Sequence, residues 1–246
     1  MKVENKDFWE SDAIIATQDK EVAYSNDYEV FLYEKVATYL KNKTNLKAKI
    51  FGCGTGREIP EVISHIGVDK VIASDIAENM IKKCNENLQK WGLSNQVETV
   101  VGDATIYDSK GVTFDVVTVM NNMMTYVIHK KDRDAIFNTA FKILNTDSCI
   151  IGVVHNQMGT PQKSLYFIAR RLLKPFLSQE VGFRLTGFKG LKFGGHYFTK
   201  KEVQQHLIDN NFKNIEVMAL SEFYKNKNVP YNRLKGYNNL LFFATK

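Results

Sequence analysis

The sequence predicts a doubly wound α/β fold, and two observations carry that prediction. From residue 46 onward, short apolar runs alternate with amphipathic stretches, the signature of parallel strands joined by crossover helices. The first apolar run then leads directly into KIFGCGTGRE (49–58), which places three glycines in five positions. Glycine costs backbone entropy, so such a cluster marks a tight turn or a place where a ligand must approach bare backbone.

The elements follow in order. After a polar start, Tyr28, Phe31, Leu32, Val36, Tyr39 and Leu40 recur at helical spacing until the polar NKTN at 42–45. Next come a strand over 46–51, a helix over 57–66, a strand over 70–75 and a helix over 77–91, the last stopped by Gly92 as a left-handed cap. Strands over 96–101 and 114–120, a helix over 131–144 and a strand over 148–155 continue the alternation. Residues 156–198 break it with glycines, basic residues and eight aromatics, and read as an insertion. Thr199 and Glu202 then form a capping box for a helix to about Asn210, followed by strands over 214–220 and 237–245.

Composition narrows the class. At 246 residues and 44% hydrophobic, the chain can bury a full core, and its first ten residues lack the apolar stretch of a signal peptide. No apolar run approaches the roughly 18 residues of a membrane span. Cys53, Cys84 and Cys149 are odd in number and widely spaced, which argues against a disulfide framework or zinc site and for a reducing cytoplasm. The net charge of +6 is localised. Residues 156–200 hold eight cations against Glu180 alone, a balance of +7 that leaves the rest of the chain at −1.

The glycine loop alone does not choose a ligand. Arg57 stands where a dinucleotide fingerprint has its last glycine, and Asp75, ending the second strand, suits the ribose diol of any adenosine cofactor. The third strand ends in VVGDAT, placing Asp103 and Ala104 at the sheet's carboxyl edge, and the fourth is FDVVTVMNN, placing Met120, Asn121 and Asn122 across the same crevice. With GCGTG, Asp75, GDA and FDVVTVMNNMMTY in this order over about residues 46–155, the chain resembles the class I S-adenosylmethionine-dependent methyltransferases. HYFTKKEVQQHLIDNNFKNIEV is similar to that family's last helix and strand.

The resemblance implies a Rossmann-like seven-stranded sheet whose last strand is antiparallel, with a lid inserted after the fifth strand. It implies one domain made of an N-terminal helical segment (1–45), a cofactor-binding core (46–155), the insertion (156–198) and a C-terminal helix with strands (199–246). By matching position, Gly52, Gly54 and Gly56 approach the methionine part and ribose of S-adenosylmethionine, and Asp75 holds the ribose hydroxyls. Ile76 and Met80 cover the adenine, Asp103 and Ala104 read its edge, and Met120 lies near the sulfonium. Asn121 lines the same crevice, Arg57 pairs with the cofactor's carboxylate, and Tyr24 drapes over the cofactor. Ile50 replaces the acid that commonly binds the ammonium, which carbonyls or another acid must then meet.

The candidate catalytic residues are His155, Tyr126 and Asn122. His155 ends the fifth strand in a pKa class suited to a general base, with a strand-end histidine bonded to backbone as the alternative. Asn122 and Tyr126 resemble the Asn-x-x-x-Tyr pattern of small-molecule N-methyltransferases. No metal site is expected. The insertion can be read as a lid meeting an anionic substrate, an RNA grip or a membrane-surface helix, and its position favours the lid. The expected partner is a small-molecule methyl acceptor, with nucleic acid and membrane not expected; the alternatives are an RNA methyltransferase and a non-catalytic cofactor-binding protein.

Overall fold

The computed structural model describes residues 5–19, 24–188, 191–232, 234 and 238–246, with the side chains of residues 188 and 191 outside that description. The polar start folds into two short helices, α1 (Asn5–Trp9) and α2 (Asp12–Gln18), before α3 (Asp27–Leu40). The alternating core is β1 (Lys47–Phe51), α4 (Ile59–Ile66), β2 (Lys70–Asp75), α5 (Glu78–Trp91), β3 (Val97–Val101), β4 (Phe114–Val119), α6 (Lys130–Ile143) and β5 (Leu144–Val154). The insertion holds α7 (Pro161–Leu172) and a hairpin, β6 (Phe183–Phe188) with β7 (Leu191–His196). The chain closes with α8 (Lys200–Asp209), β8 (Lys213–Ala219), α9 (Leu220–Asn226) and β9 (Leu240–Thr245).

The sheet runs β3-β2-β1-β4-β5-β9-β8. β1 through β5 pair in parallel, and β9 is antiparallel to both of its neighbours. The seven-stranded, doubly wound fold with an antiparallel last strand is therefore the one expected. Strand order reverses between β1 and β4, and in such sheets a crevice opens at the carboxyl ends of those strands.

Strand alternation serves both faces, as the period of two requires. Ala48, Ile50, Val116 and Ile151 pack under α3, α4 and α5, while Phe51, Val117, Ile150 and Phe242 pack under α6 and α8. Gly152 is needed where sheet and β9 meet, because a Cβ there would lie 2.4 Å from the Phe242 ring and 2.5 Å from Val119.

Several boundaries differ from expectation for local reasons. The helix after the glycine loop starts at Ile59, since turns occupy Gly54 to Glu58. β5 begins at Leu144 because Leu144 pairs with Phe114 across a register shift, with Asp147 in the left-handed region at φ 53°. The capping box of α8 is half formed. Thr199 accepts from the Glu202 N–H, but the Glu202 carboxylate turns to His196 instead. The last strand begins at Leu240, and residue 237, where it was expected, lies outside the described residues.

Candidate active site

At the strand-order reversal lies a cavity of about 600 Å³. The glycine loop forms its floor. Gly52, Gly54 and Gly56 all have positive φ, at 68°, 53° and 90°. A Cβ on Gly52 would strike Met123 Cγ at 2.3 Å, whereas nothing lies within 4 Å of one on Gly54. Gly54 thus presents bare backbone to open space, the arrangement in which a ligand can approach the chain closely.

Asp75 is the organising carboxylate. Its Oδ2 accepts from the Gly54 N–H at 2.9 Å and its Oδ1 from the Ala77 N–H at 3.0 Å, so it ties the loop to the start of α5 while lining the cavity. Burial pushes its pKa up. Ile76 and Met80 line the wall beside it, and Asp103 and Ala104 line the opposite edge, where the Asp103 Oδ1 accepts from the Thr105 N–H. Gly52, Gly54, Arg57, Asp75, Ile76, Met80, Asp103, Ala104, Asn121 and Tyr126 therefore share one cavity.

Other expected residues are placed differently. Met120 is buried in the core on the α3–α5 side, and the nearby wall is built by Met123. Gly56 sits behind the wall, facing Cys84. Tyr24 has an exposed ring, and its carbonyl accepts from Arg57 at 2.7 Å. Arg57 is not held ready for a ligand carboxylate: its guanidinium pairs with Glu29 at 2.7 Å and donates to Asn121. Ile50 is fully buried in β1.

His155 lies outside the cavity wall. Its ring nitrogen Nδ1 is 2.9 Å from Asn239 Oδ1, its face stacks on Tyr197, and its backbone N–H donates to Thr125. Burial pulls its pKa down to about 4, so it is neutral at pH 7 and a weak base. The structure holds the ring half-buried against the Asn239 side chain. Asn121 and Asn122 are consecutive left-handed residues, at φ 53° and 58°, a conformation asparagine tolerates best among residues with a Cβ. They end β4 sharply and turn the chain into the 3₁₀ segment Met123–Tyr126.

The N-terminal segment supplies wall residues that sequence patterning misses: Asn5, Lys6, Trp9 and Gln18. Asn5 donates to the Tyr126 and Gly194 carbonyls and accepts from the Gly194 N–H, so α1 bridges the 3₁₀ segment and β7. Trp9 packs edge-on against Tyr126 with centroids 4.9 Å apart. Helices of five and seven residues are too short to show periodicity, and their visible signals are the Phe8-Trp9 and Ile14-Ile15 pairs between polar residues.

Glu180, His196 and Glu202 bring ligand-type atoms within 4.8 Å of one another. The fully buried Arg133 occupies the place of a cation there, 2.5 Å from Glu180 and 3.9 Å from Glu202.

Three comparisons bear on this geometry. Residues 50–147 match the methyltransferase domain family. No curated protein matches the chain. Solved structures share the fold at low identity. An S-adenosylmethionine-dependent methyltransferase of Methanosarcina mazei superposes with TM-score 0.62 at 19% identity, covering 84% of this chain and 95% of that one. One from Clostridium acetobutylicum gives 0.58 at 12%, covering 87% and 91%. The magnesium protoporphyrin IX methyltransferase of Synechocystis, solved with bound S-adenosylhomocysteine, gives 0.59 at 14%, covering 98% of both chains. The residues matched by the methyltransferase domain family are those that build the glycine loop, Asp75 and the Asp103 edge, and the solved methyltransferases share this chain's fold.

Proposed function

We propose that the protein transfers a methyl group from S-adenosylmethionine to a small-molecule acceptor bound under α1, by direct displacement at the methyl carbon. The carrying observation is that one cavity of about 600 Å³ joins the open backbone at Gly54, the Asp75 carboxylate and the Asp103 edge, with Tyr126 and Trp9 on its far wall. Bound there, S-adenosylmethionine supplies an already activated methyl group, so the chain's task is to align the acceptor and exclude water. Asp75 would hold the ribose hydroxyls, Ile76 and Met80 would cover the adenine, and Asp103 with Ala104 would read its edge. Tyr126 and Trp9 would form the acceptor-side wall.

A small acceptor fits the way α1 is stitched across the cavity by Asn5, since a nucleic acid strand would have to displace that cover. An anionic acceptor would be met at Lys6 and not by the insertion's arginines. Among the described wall residues the lysine and arginine side chains are Lys6 and Arg57, and Arg57 is held by Glu29. Arg170 donates to the Glu180 and Val181 carbonyls, and Arg171 donates to Gln157, so both are engaged within the insertion. The whole chain is then one methyltransferase domain into which residues 156–198 are inserted.

Calorimetry tests the reading. S-adenosylmethionine and S-adenosylhomocysteine should bind, and NADH should not. Asp75→Ala should weaken cofactor binding by about 1.5–3 kcal/mol, the loss of charge-assisted hydrogen bonds to the ribose. An unchanged dissociation constant in a folded Asp75→Ala protein would place the ribose elsewhere. Release of S-adenosylhomocysteine across a panel of small amines, carboxylates and phosphorylated metabolites then identifies the acceptor, and turnover of RNA alone would overturn the small-molecule assignment.

A further inference from the structure

The insertion's helix α7 is built inside out. Its apolar stripe at i, i+3 and i+7, formed by Leu165, Ile168 and Leu172, faces solvent with 67%, 41% and 78% of each residue exposed. The ridge continues past the helix in Leu173 at 53% and Phe176 at 85%. Facing the protein are the buried Phe167, packed on Tyr197, and the half-buried Lys163 and Arg170, while Arg171 and Lys174 stay exposed beside the apolar ridge. Arg170 donates to the Glu180 and Val181 carbonyls, Arg171 to Gln157, and Lys163 lies over the Tyr197 ring. An ordinary surface helix buries its apolar stripe and shows its charges. A single exposed leucine needs no explanation, but five large apolar side chains within one twelve-residue stretch mark an interaction surface.

Charge decides among occupants. Residues 161–179 hold Lys163, Arg170, Arg171 and Lys174 and no acid. A second copy docking by twofold symmetry would set the exposed Arg171 and Lys174 against the same pair with no acid between them, which opposes the contact. An anionic lipid surface meets the same segment with opposite charge and accepts leucine and phenylalanine side chains at the boundary between headgroups and acyl chains. No helix among the described residues is long and apolar enough to cross a membrane, and a helix lying flat on one needs no such length.

We propose that α7 and the turn after it dock the protein on an anionic lipid surface, with Leu165, Ile168, Leu172, Leu173 and Phe176 entering the interface. This is independent of which acceptor the cavity takes.

Co-sedimentation with vesicles tests it, using phosphatidylcholine alone against phosphatidylcholine and phosphatidylglycerol in equal parts. The protein should pellet with the anionic vesicles, be released by added salt, and stay in solution with the neutral ones. The double variant Leu172→Ser, Phe176→Ser should lower the partition coefficient on the order of tenfold or more, from the lost apolar burial alone. Its circular dichroism and its affinity for S-adenosylmethionine should match wild type; if the double variant does not fold, Leu172→Ser carries the test. Equal retention on neutral vesicles, or undiminished retention of the folded variant, would overturn the proposal. So would a protein that pellets with neither vesicle, whether it is monomeric or forms a dimer that the same substitutions dissociate.

Discussion

Glu29→Ala is expected to destabilise the protein by about 3–5 kcal/mol, because it strands a buried arginine. Glu29 is 2% exposed and does two jobs. Its Oε2 accepts from the Asn26 N–H at 2.7 Å and so caps α3, and its Oε1 takes the Arg57 guanidinium at 2.7 Å. The capping contribution is worth about 1 kcal/mol. The larger part comes from leaving Arg57 in a buried site where, among the described residues, its remaining hydrogen-bond partners are the Tyr24 carbonyl and neutral Asn121. Glu29→Gln keeps an acceptor for the cap and should fall between wild type and Glu29→Ala. Urea unfolding at pH 7 measures the difference, and a loss under 1 kcal/mol would mean that Arg57 finds compensation in solvent or in the cavity. The pair also bears on function. Arg57 lines the cavity directly after the glycine loop, so releasing it should change cofactor affinity as well as stability.

The parts of the fold legible in the sequence are those where hydrophobic period and turn chemistry agree. β1 to β5 are apolar runs bounded by polar turns, and Gly92 takes the left-handed cap conformation at φ 69°. Asp75, Asp103 and the glycine loop were readable because chain order alone brings strand ends to one edge of a doubly wound sheet. What was not readable depended on contacts between distant segments. Nothing local in Arg57 announces that Glu29, 28 positions earlier, takes its charge. Met120 and Met123 carry the same side chain three positions apart, and the sharp left-handed turn at Asn121 and Asn122 decides which one reaches the cavity. His155 lies one residue past the end of its strand, where Asn239 and Tyr197 arrive from remote parts of the chain to enclose it. In the insertion, charge was legible as a sum while its direction was not. Arg170 turns onto backbone carbonyls and Arg171 reaches Gln157, while the leucines beside them turn outward.

A second large effect concerns Glu58, the residue after Arg57, which is 1% exposed beside the loop. Its Oε1 accepts from the Thr118 hydroxyl at 2.9 Å, and Asn121 Nδ2 donates to its Oε2 at 3.3 Å. Burial outweighs these bonds and the Arg57 charge and pushes its pKa up to about 8, from an ordinary 4.5, so the folded protein holds Glu58 protonated at neutral pH. The unfolded chain releases that proton near pH 4.5. Between about pH 4.5 and 8 the native state therefore binds more protons, and stability falls as pH rises, by on the order of 4 kcal/mol across the window. Two other buried groups act in the opposite sense. His155, lowered to about 4, makes stability rise with pH up to its ordinary 6.5, and Lys49, lowered to about 7 by burial, does so above that value. The comparison must accordingly be wild type against Glu58→Gln, in which these other contributions cancel. Glutamine imitates the protonated acid and has no proton to lose, so the two proteins should be nearly equal in stability at pH 4.5. The variant should become progressively more stable than wild type up to pH 8, with its affinity for S-adenosylmethionine at pH 7 unchanged. A stability difference that does not vary with pH over this range would show that Glu58 titrates as an ordinary carboxylate, and that Arg57 is neutralised by two carboxylates and not by Glu29 alone.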